Sequence, residues 1–331
     1  MEISAALVIV LLLVLAAEFV NGWTDAPNAI ATVVSTRVLS PYQAVAMAAV
    51  LNIAGALATG TAVAATIGKG IVNPEALGLH TVAAAMLAII IWSTVAWRWG
   101  LPTSESHALV AGLAGAGLAA AGPSVLLWSG WQKVLIGLGL SPVLGFLLGF
   151  LVMTVIYRLF FGVALTVMKS VFGRLQILSA ALMAFSHGSN DGQKFIGVFT
   201  MALVLGGVLP EFRVPVWVIL LSGVVMGVGT GLGGWRIMRT MGFGLTKLEP
   251  VNGFAAESSA SFAILLASSL GIPLSTTHAI NTAIMGVGST RRFSAVRWGV
   301  TREIVLTWLL TFPVCGALGF FFAWVLKPIF S

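Results

Sequence analysis

The sequence predicts an all-α polytopic membrane protein made of two related halves, in which some helices stop short of crossing. Three observations carry this. Of 331 residues, 59% are hydrophobic and 8% are charged, against roughly 25% charged in a soluble domain. Apolar runs of spanning length alternate with runs too short to span. Two polar motifs recur, altered but in the same order, in the second half of the chain.

The first long run is residues 3–20. A cleaved leader is the competing reading, but Met1-Glu2 places no positive charge before it. It therefore reads as a structural helix. Residues 44–67, 134–157, 214–235 and 304–326 also reach the roughly 20 residues that a spanning helix needs. Residues 81–97 and 254–270 are shorter but feasible. Four runs are too short alone: 108–121, 175–185, 195–209 and 279–288. Such pieces read as half-helices, re-entrant segments or buried core. Where they flank polar clusters, they read as discontinuous helices.

The 38 glycines suit close helix approach, most densely in residues 110–122 and 223–234. Cys315 is the only cysteine, which excludes an intrachain disulfide and leaves it a packing role. The net charge of +7 does not indicate nucleic acid, because the basic residues flank apolar runs: Arg158, Lys169 and Arg174; Arg236, Arg239 and Lys247; Arg291, Arg292, Arg297 and Arg302. Short basic loops of this kind set topology. A simple count puts 158–174 and 236–247 on one side, but it conflicts with 291–302 if 271–290 is a strict hairpin. The least apolar connection divides the chain into residues 1–160, a short loop over 161–175, and residues 176–331.

The repeat is the strongest signal. Asn21-Gly22-Trp23-Thr24-Asp25-Ala26-Pro27-Asn28 matches His187-Gly188-Ser189-Asn190-Asp191-Gly192-Gln193-Lys194. Gly100-Leu101-Pro102-Thr103-Ser104-Glu105-Ser106-His107 matches Gly271-Ile272-Pro273-Leu274-Ser275-Thr276-Thr277-His278. Asp25 to His107 is 107 − 25 = 82 residues and Asp191 to His278 is 278 − 191 = 87. Duplicated halves that meet at a midplane site are common in secondary transporters.

Each motif has a chemistry. Pro102 and Pro273 are expected at helix starts, where a missing N–H costs nothing, with hydroxyl caps directly after them. Two helix N-termini pointing inward make anion sites, and Thr103, Ser104, Ser106, Ser275, Thr276 and Thr277 add hydroxyl donors. Glu18, Asp25, Glu105, Asp191 and Glu257 lie in or beside apolar segments, with Lys194 the nearest basic residue to a motif. Buried carboxylates must protonate, face water or find cations, and their oxygens suit hard cations. An anion and one or more cations bound together satisfy both sets. A carboxylate in that lining can accept a hydrogen bond from a protonated oxyanion such as hydrogen phosphate, but it repels sulfate. His107 and His278 read as satisfied structural groups ahead of proton coupling. No phosphate-binding Gly-rich loop, zinc-protease His pair or nucleophile elbow occurs. The sequence therefore offers no support for ATP-driven pumping or for an enzyme.

These motifs resemble those of the inorganic phosphate transporter (PiT) family, over essentially the whole chain. The resemblance implies symport of phosphate with a cation by alternating access between two inverted-topology repeats. It also implies helices broken around Asp25 and Asp191, re-entrant hairpins around 100–121 and 271–290, and location in the cell membrane. Carried over by position, Thr24, Asp25, Asn28, Glu105, Asp191 and Glu257 are implied as sodium or coupling residues. Thr103, Ser104, Ser106, Asn190, Gln193, Ser275, Thr276 and Thr277 are implied as the phosphate cradle. The implied partners are phosphate, sodium and lipid, with no resident cofactor and no nucleic acid, and a homodimer is compatible with this. Proton-coupled carriage of metal-phosphate or sulfate, and an anion channel, remain the alternatives.

Overall fold

The computed structural model describes residues 4–330. It is helical throughout, and the one β-bridge among these residues joins Val72 to Leu126. Thirteen α-helices follow in order: α1 Ala5–Ser35, α2 Pro41–Ala58, α3 Ala62–Gly70, α4 Leu79–Arg98, α5 Glu105–Ala121, α6 Trp128–Leu159, α7 Leu165–His187, α8 Gln193–Leu205, α9 Val216–Gly231, α10 Trp235–Arg239, α11 Pro250–Ser269, α12 Thr276–Ser289 and α13 Trp298–Phe330. Among the described residues, six spans are long and apolar enough to cross a membrane: α1, α2, α4, α6, α7 joined to α8, and α13. Val216–Gly231 and Trp235–Gly244 pass the same test together but are bent by 62° at their break, as a broken span or a re-entrant loop is. The protein is a multi-pass integral membrane protein.

Several expectations are corrected. The helix around Asp25 is not broken, since α1 runs through Pro27. Proline removes the bond to the Trp23 carbonyl and crowds it, but Gly234 lies against that carbonyl and the Pro27 ring, where a Cβ would collide. One turn earlier, the Thr24 hydroxyl donates to the Val20 carbonyl at 2.8 Å. The missing side chain at 234 thus gives the strained turn room. The short runs 175–185 and 195–209 join into one span, Leu165–Leu205, through a π-helical turn at Gly188–Gly192 that carries Asp191. An inserted turn of this kind keeps the ladder running while re-aiming its side chains. Conversely, the run 44–67 is split, because Gly60 takes φ +75° between α2 and α3. Of the connection expected over 161–175, only 161–164 lies between α6 and α7, and the rest is the start of α7.

The two hairpins share one design. α4 and α11 each end in a left-handed glycine, Gly100 (φ +71°) and Gly271 (φ +65°). Leu101 N–H donates to Ala96 O at 3.0 Å and Gly100 N–H to Trp97 O at 2.9 Å. At the second hairpin, Ile272 N–H donates to Ala267 O at 2.9 Å and Gly271 N–H to Ser268 O at 3.1 Å. This paired closure consumes carbonyls that would otherwise be stranded in an apolar interior. Pro102 and Pro273 therefore follow the stop of one helix and do not open the next. An extended segment separates each from α5 and α12, whose caps are Ser104 and Ser275.

α5 and α12 have 17 and 14 residues, about 26 and 21 Å of helix. Residues Glu105 to Gly117 of α5 and the whole of α12 are buried. α5 packs on α4 and α13, and α12 on α11 and α6. Each inner helix is therefore held by the last long helix of the other half. Cys315, on α13, is buried as packing.

Candidate functional site

Four elements meet at the centre: α1, the π-turn with the start of α8, and the capped starts of α5 and α12. Ser104 Oγ accepts from His107 N–H at 3.3 Å and Ser275 Oγ from His278 N–H at 3.2 Å. The two caps then touch, with Ser275 Oγ donating to Ser104 Oγ at 2.8 Å. The rings of His107 and His278 lie 4.5 Å apart just behind, and the His278 ring lies 3.7 Å from that of Trp308, tilted by 32°. Tip to tip, the hairpins bring two positive helix ends together.

Asp25 and Asp191 face these tips. Thr277 Oγ1 lies 3.5 and 3.4 Å from the two oxygens of Asp25. Thr276 Oγ1 donates to Asp191 Oδ2 at 2.7 Å. Asn28 Nδ2 donates to Thr277 Oγ1 at 3.0 Å and to Thr276 Oγ1 at 3.4 Å. Thr24 Oγ1 donates to Glu105 Oε1 at 3.1 Å, and Glu105 Oε2 has no hydrogen-bond partner. Ser106 Oγ donates to Leu274 O at 2.9 Å. All of these side chains are buried. Thr24, Asp25, Asn28, Glu105, Asp191, Ser104, Ser106, Ser275, Thr276 and Thr277 thus form one connected constellation.

The remaining expected residues do not join it in the same way. Thr103 Oγ1 is buried without a partner. Asn190 donates to Ser268 Oγ at 2.9 Å and Ile272 O at 3.4 Å, leaving its Oδ1 unpaired. Gln193 points elsewhere. Its Oε1 accepts from Val63 N–H at 3.0 Å and Ala64 N–H at 3.4 Å, while Nε2 donates to Thr59 Oγ1 and Ser189 O. It thereby caps α3, whose own Thr61 makes no cap bond. Glu257 is also apart, accepting from Gln176 Nε2 at 3.2 Å and from the hydroxyls of Thr32 and Ser179. Thr32 follows Asp25 by 32 − 25 = 7 residues, about 10 Å along α1. Glu18 belongs to neither group, and its oxygens and the amide of Asn21 lack hydrogen-bond partners.

Two residues absent from the expected set are central. Lys194 Nζ donates to Asp191 Oδ1, to Ser106 Oγ at 2.5 Å and to Leu274 O at 3.0 Å. His187 Nε2 lies 3.2 Å from Asp191 Oδ2, and its Nδ1 is 3.2 Å from Asn52 Oδ1. The signal for both was their spacing. Residues four before and three after Asp191 share its helix face. Oxygen and nitrogen atoms of Asp25, His187 and Asp191 all lie within 4.8 Å of one another, close enough to hold one metal ion.

Residues 21–319 match the model of the phosphate transporter family. The chain is 40% identical to a probable low-affinity inorganic phosphate transporter of Bacillus subtilis, over 98% of each chain. It is 44% identical to one of Rhizobium meliloti, over 91% of each. A solved structure described as the sodium-dependent phosphate transporter superposes with a TM-score of 0.91 at 28% identity, covering 98% of this chain and 100% of that one. The matched residues include both carboxylate motifs and both capped hairpins, so the centre just described lies wholly within the match. This chain belongs to the phosphate transporter family, the PiT proteins its motifs resemble, and is a transporter and not an enzyme.

Proposed function

We propose that the chain imports inorganic phosphate by symport with sodium, through alternating access between two inverted halves. The observation that carries this is the convergence of Asp25 and Asp191 on Thr277 and Thr276 at the tip of the second hairpin, whose cap Ser275 is bonded to the first hairpin's cap Ser104. An anion seated at two helix N-termini is favoured by the free N–H groups and dipoles there, yet two carboxylates beside it oppose binding. Cations relieve that opposition. Sodium at Asp25, Thr24, Asn28 and Glu105 would neutralise the carboxylates and raise affinity for phosphate, and phosphate must raise affinity for sodium by the same factor. The cradle is Ser104, Ser106, Ser275, Thr276 and Thr277, with Thr103 and Asn190 at its edge. A protonated phosphate oxygen can donate to a carboxylate, which sulfate cannot do.

The solved relative is named for sodium dependence, which supports the choice of ion. The Asp25, His187 and Asp191 cluster favours a second reading, co-transport of a divalent metal with phosphate under a proton gradient. Uptake of labelled phosphate into proteoliposomes separates the two. An imposed sodium gradient should drive accumulation, and an inward proton gradient without sodium should not. Accumulation driven by protons, requiring a divalent cation and indifferent to sodium, would replace the first reading with the second.

A further inference from the structure

The two motif helices agree in spacing and differ in one charge. Asn28 follows Asp25 by 28 − 25 = 3 residues and Lys194 follows Asp191 by 194 − 191 = 3. Each crosses to the hairpin of the other half. Asn28 donates to Thr277 Oγ1 and Lys194 donates to Ser106 Oγ. Those acceptors correspond, because 277 − 106 = 171 is also the offset from Ser104 to Ser275 and from His107 to His278. A neutral amide and an ammonium therefore occupy equivalent places. The ammonium has three hydrogens, and its three partners are a carboxylate, a hydroxyl and a main-chain carbonyl. These are the oxygen types a dehydrated hard cation takes.

We infer that Lys194 is a resident cation: its ammonium permanently fills, beside Asp191, the place that a transported cation takes beside Asp25. The inference rests on the symport reading and adds a count and a location to it. Asp191 is paired in every state of the cycle, because its counter-ion is tethered and cannot leave. Mobile cations are confined to the α1 side, where Asp25 has only the distant Thr277 hydroxyl and Glu105 Oε2 has no partner. No Lys or Arg donates to either of them among the described residues. The chain thus moves one cation fewer per phosphate than it would with asparagine at both positions. A role as direct phosphate ligand is disfavoured, because the three hydrogens of Lys194 are already directed at oxygen atoms.

The test is Lys194→Asn in proteoliposomes, reading charge carried per phosphate from the reversal potential together with the sodium dependence of uptake. The expected result is one more positive charge per phosphate and a steeper sodium dependence than the unaltered protein. Lys194→Ala in detergent gives a second readout that needs no transport. Its melting temperature should rise more steeply with sodium than that of the unaltered protein, because a vacated site now binds the ion only in the folded state. An unchanged charge count with weakened phosphate affinity would make Lys194 a phosphate ligand and overturn the inference. Should Lys194→Asn fold but not transport, an unaltered sodium dependence of melting in Lys194→Ala overturns it equally. Proton-driven uptake by the unaltered protein would sink the sodium reading alone, since Lys194→Asn would still carry one more cation.

Discussion

At the scale of residues, the two aspartates have different neighbours and should fail differently. Among the described residues, the one hydrogen-bond donor to Asp25 is the Thr277 hydroxyl, at 3.4 and 3.5 Å, so Asp25→Asn should abolish cation-dependent uptake while leaving the melting temperature in detergent nearly unchanged. Asp191 is bonded to the Lys194 ammonium inside the protein. Asp191→Asn leaves that ammonium buried without its counter-ion, a loss on the order of 3–5 kcal/mol, and melting should fall markedly. Equal melting of the two variants would contradict this assignment. Gln193 offers a contrast, since it caps α3 across the chain. Gln193→Ala should cost about 1 kcal/mol of stability, as other lost caps do, and leave the half-saturation concentration for phosphate unchanged. A large rise in that concentration would return Gln193 to the cradle.

At the scale of elements, the hairpin turns depend on two glycines. A side chain at φ near +70° is strained whatever space surrounds it, so Gly100→Ala and Gly271→Ala should each cost about 1–2 kcal/mol. Thermal melting checks this, and the pair of losses should be similar because the turns close with the same bonds. The hairpin motifs were legible in the sequence, as were the carboxylate motifs, because polar residues and helix breakers stand out against an apolar background, although Pro102 and Pro273 read as helix starts and follow helix ends instead. What was not legible depends on neighbours distant in the chain. Pro27 reads as a break, but Gly234 lets α1 pass through it. Gln193 sits inside a motif, yet the open end of α3 claims its amide. Glu257 looks like a coupling acid in sequence. Thr32, Gln176 and Ser179 satisfy it away from the centre. Lys194 is visible, but its partners on the hairpin tips are not.

At the scale of the whole molecule, the proposed cycle requires the hairpin tips to part or slide, and Ser104 and Ser275 mark where they touch. A Ser104→Cys, Ser275→Cys pair in a Cys315→Ala background, compared with its own reduced form because both cradle hydroxyls are lost, should lose its remaining uptake on oxidation and regain it on reduction. Uptake that persists with the bond formed would show that transport needs no relative movement at this point. The reciprocal packing also has a consequence for how the chain is made. α5 rests on α13 and α12 on α6, so the first inner helix is synthesised long before its final neighbour exists. Until ribosomes deliver the C-terminal segment, α5 must wait against a provisional partner, a gap in which a membrane chaperone or the insertion machinery would have to shelter it.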